Sequence, residues 1–438
     1  MTQTPVLGEA AVQHNSWREF VLVWLRIGAL SFGGPAGQIA LLHRELVERR
    51  QWLDDAAFLR ALNFCMLLPG PEAQQLATWC GWRQRGTIGG LIAGGLFVAP
   101  GAVVMAALTA VYLAFGAQPL VAAAFYGIQA VVIAVVAQAL LRVARRALAG
   151  RLAWGLAAAA FVALWFFDAP FPLVVLAAGV IGWFAGGDAP TAVMPGVAGS
   201  WRRSAATALL WAGIWALPLV FAALWLGPHH DLVRLGAFFA RVAAFSFGGA
   251  YAAMAYVAQA AVDTHHWLAP REMLDGLGLA ETTPGPLVLV FQFVGGLAGY
   301  RIEGPWTSPW MGALLGMGLV LWMVFAPSFL WIFAAAPHLD GLGARPGPAR
   351  ALAAITAAVV GVMANLALWF ALHVLFHVVD AVHWGTLRLW VPGGAFDPAA
   401  AAIAAAALLL LTRTRLGIGW VLVAGALVGM VLQRAGAA

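Results

Sequence analysis

The chain has 438 residues, 63% of them hydrophobic and only 10% charged, with a formal net charge of +6. Soluble domains carry about 25% charged residues, so that class is excluded. Apolar stretches run without alternation for 15 residues or more, which excludes a porin-type barrel, because within hydrocarbon such runs satisfy their backbone groups only as helices. The expected class is an all-α polytopic membrane protein.

All 24 basic residues are Arg, and in this class they report orientation through the positive-inside rule rather than nucleic-acid binding. Cys65 and Cys80 do not form a disulfide framework and read as buried thiols. The first 16 residues are polar with no basic n-region, so no cleavable signal peptide is expected.

In chain order, RIGALSFGG at 26–34 returns as RVAAFSFGG at 241–249, an offset of 215. The same offset pairs Trp52-Leu53 with Trp267-Leu268, and Pro69-Gly70-Pro71 with Pro284-Gly285-Pro286. Gly81 then pairs with Gly296, and further on Ala99-Pro100 answers Ala326-Pro327 after a slip of about 12 residues. Gly, Pro and Trp at fixed spacing imply a fused duplication.

Four stretches, 18–50, 55–82, 235–262 and 272–300, are apolar pieces interrupted by SFGGP, LPGP, SFGGA and TTPGP. They are expected to be broken helices or re-entrant hairpins, with the arginines around 44–50 and 83–85 on the cytoplasmic side. Longer apolar segments follow near 87–115, 119–141, 152–167, 171–186, 205–226, 309–335, 351–378, 399–411 and 416–432. Two of them, 152–167 and 399–411, are short for a full span of about 20 residues.

Loop 142–151 carries Arg142, Arg145, Arg146 and Arg151, whereas its second-half counterpart, 379–398, carries only Arg388. Conversely, 168–170 has no Arg, and its counterpart has Arg413 and Arg415. The halves are therefore expected to be inverted relative to one another, a recurring carrier architecture. The expected division is a transport domain at 1–186, a linker at 187–234 with a topology-inverting helix at 205–226, and a second transport domain at 235–438.

A Gly or Pro-Gly-Pro break starts a half-helix whose first N–H groups lack partners, which together with the helix dipole favours an anion. Around the breaks, Gly33, Gly34, Gly248 and Gly249 allow close approach. Pro69, Gly70, Pro71, Pro284, Gly285 and Pro286 set the turns. Ser31, Ser246, Thr282 and Thr283 offer hydroxyls, Gln74, Gln75 and Gln292 offer amides, and Arg26 and Arg241 offer charge. The bland alternatives are close helix packing for Gly-Gly, a simple kink for Pro-Gly-Pro, and snorkelling for the two arginines.

Glu72 and Glu281 are the carboxylates nearest the breaks and are candidates for proton coupling, with helix capping the alternative for Glu72. His373 and His377, four apart on an expected helical face with His383 beyond, raise a metal or haem alternative. No metal and no cofactor is the expectation. With no nucleotide-binding motif, an enzyme is not expected, and energy would come from a gradient.

SFGGPAGQIA, LNFCMLLPGPEAQQLATWCGW and GGLIAGGLFVAPG, with FSFGGAYAAMAYVAQ and WLAPREMLDGLGLAETTPGPLVLVFQFVGG, resemble the chromate ion transporter family in its long, two-domain form. The resemblance is dense over 17–105 and 235–300. It implies a bacterial inner-membrane carrier exporting chromate, driven by proton-motive force or anion exchange, and conferring chromate resistance. Sulfate is the structural analogue, and a sulfate carrier the alternative. The expected partners are a small oxyanion and the lipid bilayer, not nucleic acid, with a homodimer as a conceivable assembly.

Overall fold

The computed structural model describes residues 16–185, 201–247, 250–336, 346–414 and 416–435. The expected Gly248, Gly249, Arg415 and most of the linker before Trp201 lie outside the described residues.

The first half begins with α1 (Trp17–Ala29), whose N-cap Ser16 accepts a hydrogen bond from Glu19 N. It continues with α2 (Gly34–His43), which ends in a π-helical turn at Arg44–Arg49, and with α3 (Asp55–Cys65), capped by Asp54. The 44-residue α4 (Glu72–Phe115) follows. Arg85 and Gly86 have non-helical backbone angles, with φ of 62° at Gly86, and they fold α4 into a helical hairpin. A Cβ on Gly81 would lie 2.4 Å from Gly89 O, and one on Gly94 2.2 Å from Thr78 Oγ1, so the two arms meet at backbone distance through small residues. α5 (Pro119–Ala147), α6 (Arg151–Phe167) and α7 (Phe171–Phe184) complete this half.

A single helix, α8 (Trp201–Leu226), leads to the second half. Only 6% of its most apolar window is buried, and Leu209, Leu217 and Leu224 point outward, which suits a lipid-facing span. The second half then runs α9 (Asp231–Phe245), α10 (Ala250–Gln259) with a π turn at Ala260–Thr264, α11 (Pro270–Thr282), a 3₁₀ turn at Leu287–Leu289, α12 (Val290–Arg301) and α13 (Pro309–Ala335). α14 (Pro346–Leu375), α15 (Pro398–Arg413) and α16 (Ile418–Arg434) follow. Among the described residues, five helices are long and apolar enough to cross a membrane: α4, α5, α8, α13 and α14.

The duplication holds in three dimensions. α12 and α13 form a glycine-lined antiparallel hairpin like α4, with Gly295 against Gly316 O and Gly299 against Gly312 O. Even the π turns recur at matching places. The equivalent helices α4 and α13 themselves run antiparallel, because Gly90 meets Phe333 while Gly94 meets Phe329. Equivalent elements can oppose each other in this way only if one half is turned over relative to the other. The halves also exchange packing partners: α5 lies against α15 and α16, and α14 lies against α6 and α7. A Cβ on Gly127 of α5 would sit 1.9 Å from Gly425 O of α16, which makes the halves one folding unit.

One element departs from the all-helical expectation. Residues in the 379–398 loop belong to an antiparallel hairpin of β1 (Phe376–Trp384) and β2 (Leu387–Phe396). Val378, Val379, Val382 and Val391 favour extended backbone, and Gly385, at φ 62°, turns the chain. The first half has only a short connection at this point, so the hairpin is an insertion in the second half. It also corrects the His373/His377 expectation: His373 ends α14, whereas His377 lies in β1, so the two share no helical face. Their Nδ1 atoms go separately to Trp369 O and Ala395 O.

Candidate substrate site at the crossing of the breaks

Each of the four breaks appears as non-helical backbone between helices, at 30–33, 66–71, 246–247 and 283–286 among the described residues. The first is enforced by Gly33 and Gly34, at φ 89° and 69°, and the Pro-Gly-Pro breaks by Gly70 and Gly285, at φ 116° and 95°. A side chain strains each of these conformations. No side chain caps the half-helices beginning at Gly34, at Glu72 and after Pro286.

The breaks of opposite halves are tied together reciprocally. Gly70 N donates to Ser246 O at 3.2 Å, and Gly285 N donates to Ser31 O at 2.8 Å. These are the same bond in the two repeats, each Pro-Gly-Pro glycine holding the serine carbonyl of the other half. The helix arms that follow complete the pattern: a Cβ on Gly101 would lie 2.0 Å from Pro284 O, and its repeat equivalent, Ser328, lies beside Gly70.

Around this crossing, Ser31, Gln74, Gln75, Thr283, Gln292 and Ser328 are buried, as are Pro69, Pro71, Pro284, Gly285 and Pro286. The glutamine amides spend their donors on carbonyls. Gln75 Nε2 reaches Pro69 O at 2.7 Å, Gln74 Nε2 reaches Phe325 O at 3.3 Å, and Gln292 Nε2 reaches Ala102 O at 3.0 Å. Thr282 and Thr283 both donate back to Leu279 O at 2.8 Å, and Ser246 donates to Ala243 O at 3.3 Å. Ser31 Oγ and Ser328 Oγ are buried without a partner, as are the Oε1 atoms of Gln74, Gln75 and Gln292. Buried hydroxyls left unpaired are costly, and they are the free donors here.

Sequence reasoning missed Ser328 and Gln38. Gln38 Nε2 donates to Gly285 O at 2.6 Å, in effect bracing the second Pro-Gly-Pro from α2. Ser328 was legible in principle as the residue after Ala326-Pro327, the counterpart of Gly101.

Arg26 and Arg241 are not brought to the breaks. Arg26 is exposed in a surface cleft with Ser16, Arg18, Glu19 and Arg50. Arg241 is exposed and donates to Ala237 O of its own helix. Glu72 stands half-buried on the first turn of α4, and Glu281 accepts a long bond of 3.4 Å from Tyr251. Arg142 of α5 exerts its charge on Glu281.

The cavity at the crossing, lined by Gly70, Pro71, Ser246 and Val324 among others, measures about 10 Å³, room for about one water. The crossing is therefore closed in this conformation. A far larger chamber of about 800 Å³ opens on the opposite face from the arginine-rich loops, beneath the β-hairpin. Buried Arg388 closes its wall, donating to Asp168 Oδ1 at 2.6 Å and to Leu164 O at 2.7 Å. Among the described residues, no three His, Cys, Asp or Glu side chains gather as a metal site. Cys65 and Cys80 are free and buried.

Inverted, interlocked halves whose broken helices meet at a buried crossing define a multi-pass membrane carrier. The sequence model of the chromate transporter family matches residues 18–183 and 233–430, and the chain belongs to that family. It is 29% identical to a chromate transport protein of Cupriavidus metallidurans, over 78% of this chain and 80% of the relative. It is 32% identical to a chromate transport protein of Pseudomonas aeruginosa, over 68% and 70% respectively. A probable chromate transport protein of Synechococcus elongatus is 27% identical over 80% and 83%. No solved structure matches the chain. With its apolar spans, family membership makes this a multi-pass bacterial membrane protein.

Proposed function

We propose that the protein is a secondary active transporter that exports chromate, driven by proton-motive force or anion exchange, and so confers chromate resistance. The observation that carries this reading is the reciprocal pair of bonds from Gly70 to Ser246 and from Gly285 to Ser31. Two inverted halves that carry the same weak backbone contact at each of their two Pro-Gly-Pro breaks suit alternating access: separating one pair opens one side while the other stays shut. The released amides of Gly70 and Gly285, the uncapped half-helix starts, and the hydroxyls of Ser31 and Ser328 then supply donors to a tetrahedral dianion. Residues 1–186 and 235–438 are the two transport domains, with the four broken stretches re-entering from opposite faces. The similarity to chromate transport proteins supports chromate as cargo, and sulfate, of like shape and charge, is the competing substrate. Carriage by gradient, rather than an enzymatic reaction, suits a crossing whose free groups are hydroxyls and amides.

The test is uptake of labelled chromate into inverted membrane vesicles, with energisation and excess sulfate as variables. Saturable, energy-dependent uptake that sulfate competes for is the expected outcome. Sulfate entry without chromate entry would overturn the substrate.

A further inference from the structure

Asp275 lies on the second turn of α11 and is 5% exposed. Its two carboxylate oxygens are held by neutral groups from two first-half helices: Tyr112 of α4 donates to Oδ2 at 2.8 Å, and Gln129 of α5 donates to Oδ1 at 2.7 Å. No cation pairs with it, although a carboxylate buried among membrane helices ordinarily takes one. The charged groups near it are Arg271 and Glu272 of its own helix. Glu272 is already paired with Arg301 of α12, and that pair also acts on Tyr112. At the equivalent place in the first half stands Arg60, so the group is peculiar to one repeat.

We propose that Asp275 is the proton-carrying residue of the transport cycle, an inference that rests on the proton-driven reading above. Both protonation states are satisfied by the same neighbours. The carboxylate accepts from Tyr112 and Gln129. The acid, gaining an O–H, donates to the tyrosine oxygen once that hydroxyl rotates, or to the glutamine carbonyl oxygen once that amide, whose nitrogen now faces the carboxylate, turns over. A fixed cation would hold the group ionised, and its absence leaves the proton exchangeable. Position supports the same role. Ala269 and Pro270, where α11 begins, line the 800 Å³ chamber, so Asp275 stands little more than one turn in from it. The same helix ends at the Thr283-Pro284-Gly285 break, so a change of charge at Asp275 acts on the element whose amide holds Ser31. Because Asp275 bonds across the two halves, protonation alters their attachment to each other. Glu281 is held less closely: a single donor, Tyr251, reaches it at 3.4 Å, whereas Asp275 has two at 2.8 and 2.7 Å.

The experiment uses full-length protein in liposomes, with chromate as the driven anion and a pH-sensitive dye inside. Wild type is expected to move protons when chromate is added and to transport at a rate that varies with pH. Asp275→Asn is expected to keep chromate counterflow, lose chromate-evoked proton movement, and flatten the pH profile. Asp275→Glu restores both. Tyr112→Phe, which keeps the carboxylate but removes one donor, is expected to displace the pH midpoint without abolishing proton movement. It gives an independent reading should the asparagine variant not fold, and an unmoved midpoint would count against the proposal. Full proton movement in Asp275→Asn overturns the proposal, as does equal loss of counterflow and proton movement that glutamate fails to rescue. Absence of proton movement in wild type refutes the proton-driven reading itself, and is distinguishable because no variant is then needed to see it.

Discussion

In the first half, Pro69-Gly70-Pro71 runs into Glu72, Gln74 and Gln75; in the second, Pro284-Gly285-Pro286 runs into Leu287, Leu289 and Val290. The backbone plan is shared down to the π turns, but the polar groups are distributed oppositely. The first half is polar just after its break, with buried glutamines closing on Pro69 and on Phe325 O. The second half is apolar there and keeps its carboxylates, Asp275 and Glu281, on the helix before the break. It also carries the β-hairpin, which covers a chamber lined by both halves. Backbone geometry in a symmetric crossing is therefore separable from side-chain chemistry: the first must match in both halves for the parts to interlock, while the second is free to diverge and give the cycle a direction.

Exchanging equivalent residues between the halves tests this separation. The largest effect is expected for Gly101→Ser, which copies Ser328 into the first half. Its Cβ would fall 2.0 Å from Pro284 O, and overpacking of this kind costs about 3 kcal/mol. Thermal unfolding in detergent should show it, with loss of transport. The reverse change, Ser328→Gly, should cost no more than about 1 kcal/mol. Equal losses for the two would show that the crossing is not as asymmetric as the geometry makes it.

A middle-sized effect is expected for Gln75→Val, which copies Val290. It leaves the buried Pro69 carbonyl without its donor, a loss of about 2 kcal/mol, and it should weaken chromate binding by loosening the break. Unchanged stability and KM would place Gln75 outside the machinery.

The smallest concerns His43→Ala, copying Ala258, at the arginine-rich base outside the spanning segments. Asp55, accepting from Nε2 at 2.6 Å, and then Glu48 raise the His43 pKa above its ordinary 6.5. A raised value means the pair stabilises the fold fully below about pH 6.5, and loses that contribution as pH climbs through the folded-state value. With both carboxylates exposed, the difference should be roughly 0.5 kcal/mol. It should be visible in unfolding at pH 6 and absent at pH 9, and a difference that persists at pH 9 would mean lost packing on Phe58 rather than lost charge.

How much was legible follows from which interactions are local. The repeat, the four breaks and the Pro-Gly-Pro turns were readable because Gly and Pro act on their own backbone. Inversion was readable because arginine counts in loops report which side each loop faces. Arg26 was not placeable: five residues before Ser31 in a helix, its side chain turns to the surface, and only the packing of α1 on α4 fixes that. The hairpin escaped because its valines read equally as the end of an apolar span. Asp275 looked like one acid in a polar stretch, PREMLDG. It became a buried carboxylate held by neutral donors only when α4 and α5 brought Tyr112 and Gln129, 163 and 146 residues away, to its two oxygens. By itself, then, the sequence determined membrane insertion, duplication, inversion and the positions of the breaks, because these rest on hydropathy, charge and residue conformation. Which break meets which, and which polar groups are left free or enclosed, was decided by tertiary structure, because those facts are distances between residues remote in the chain.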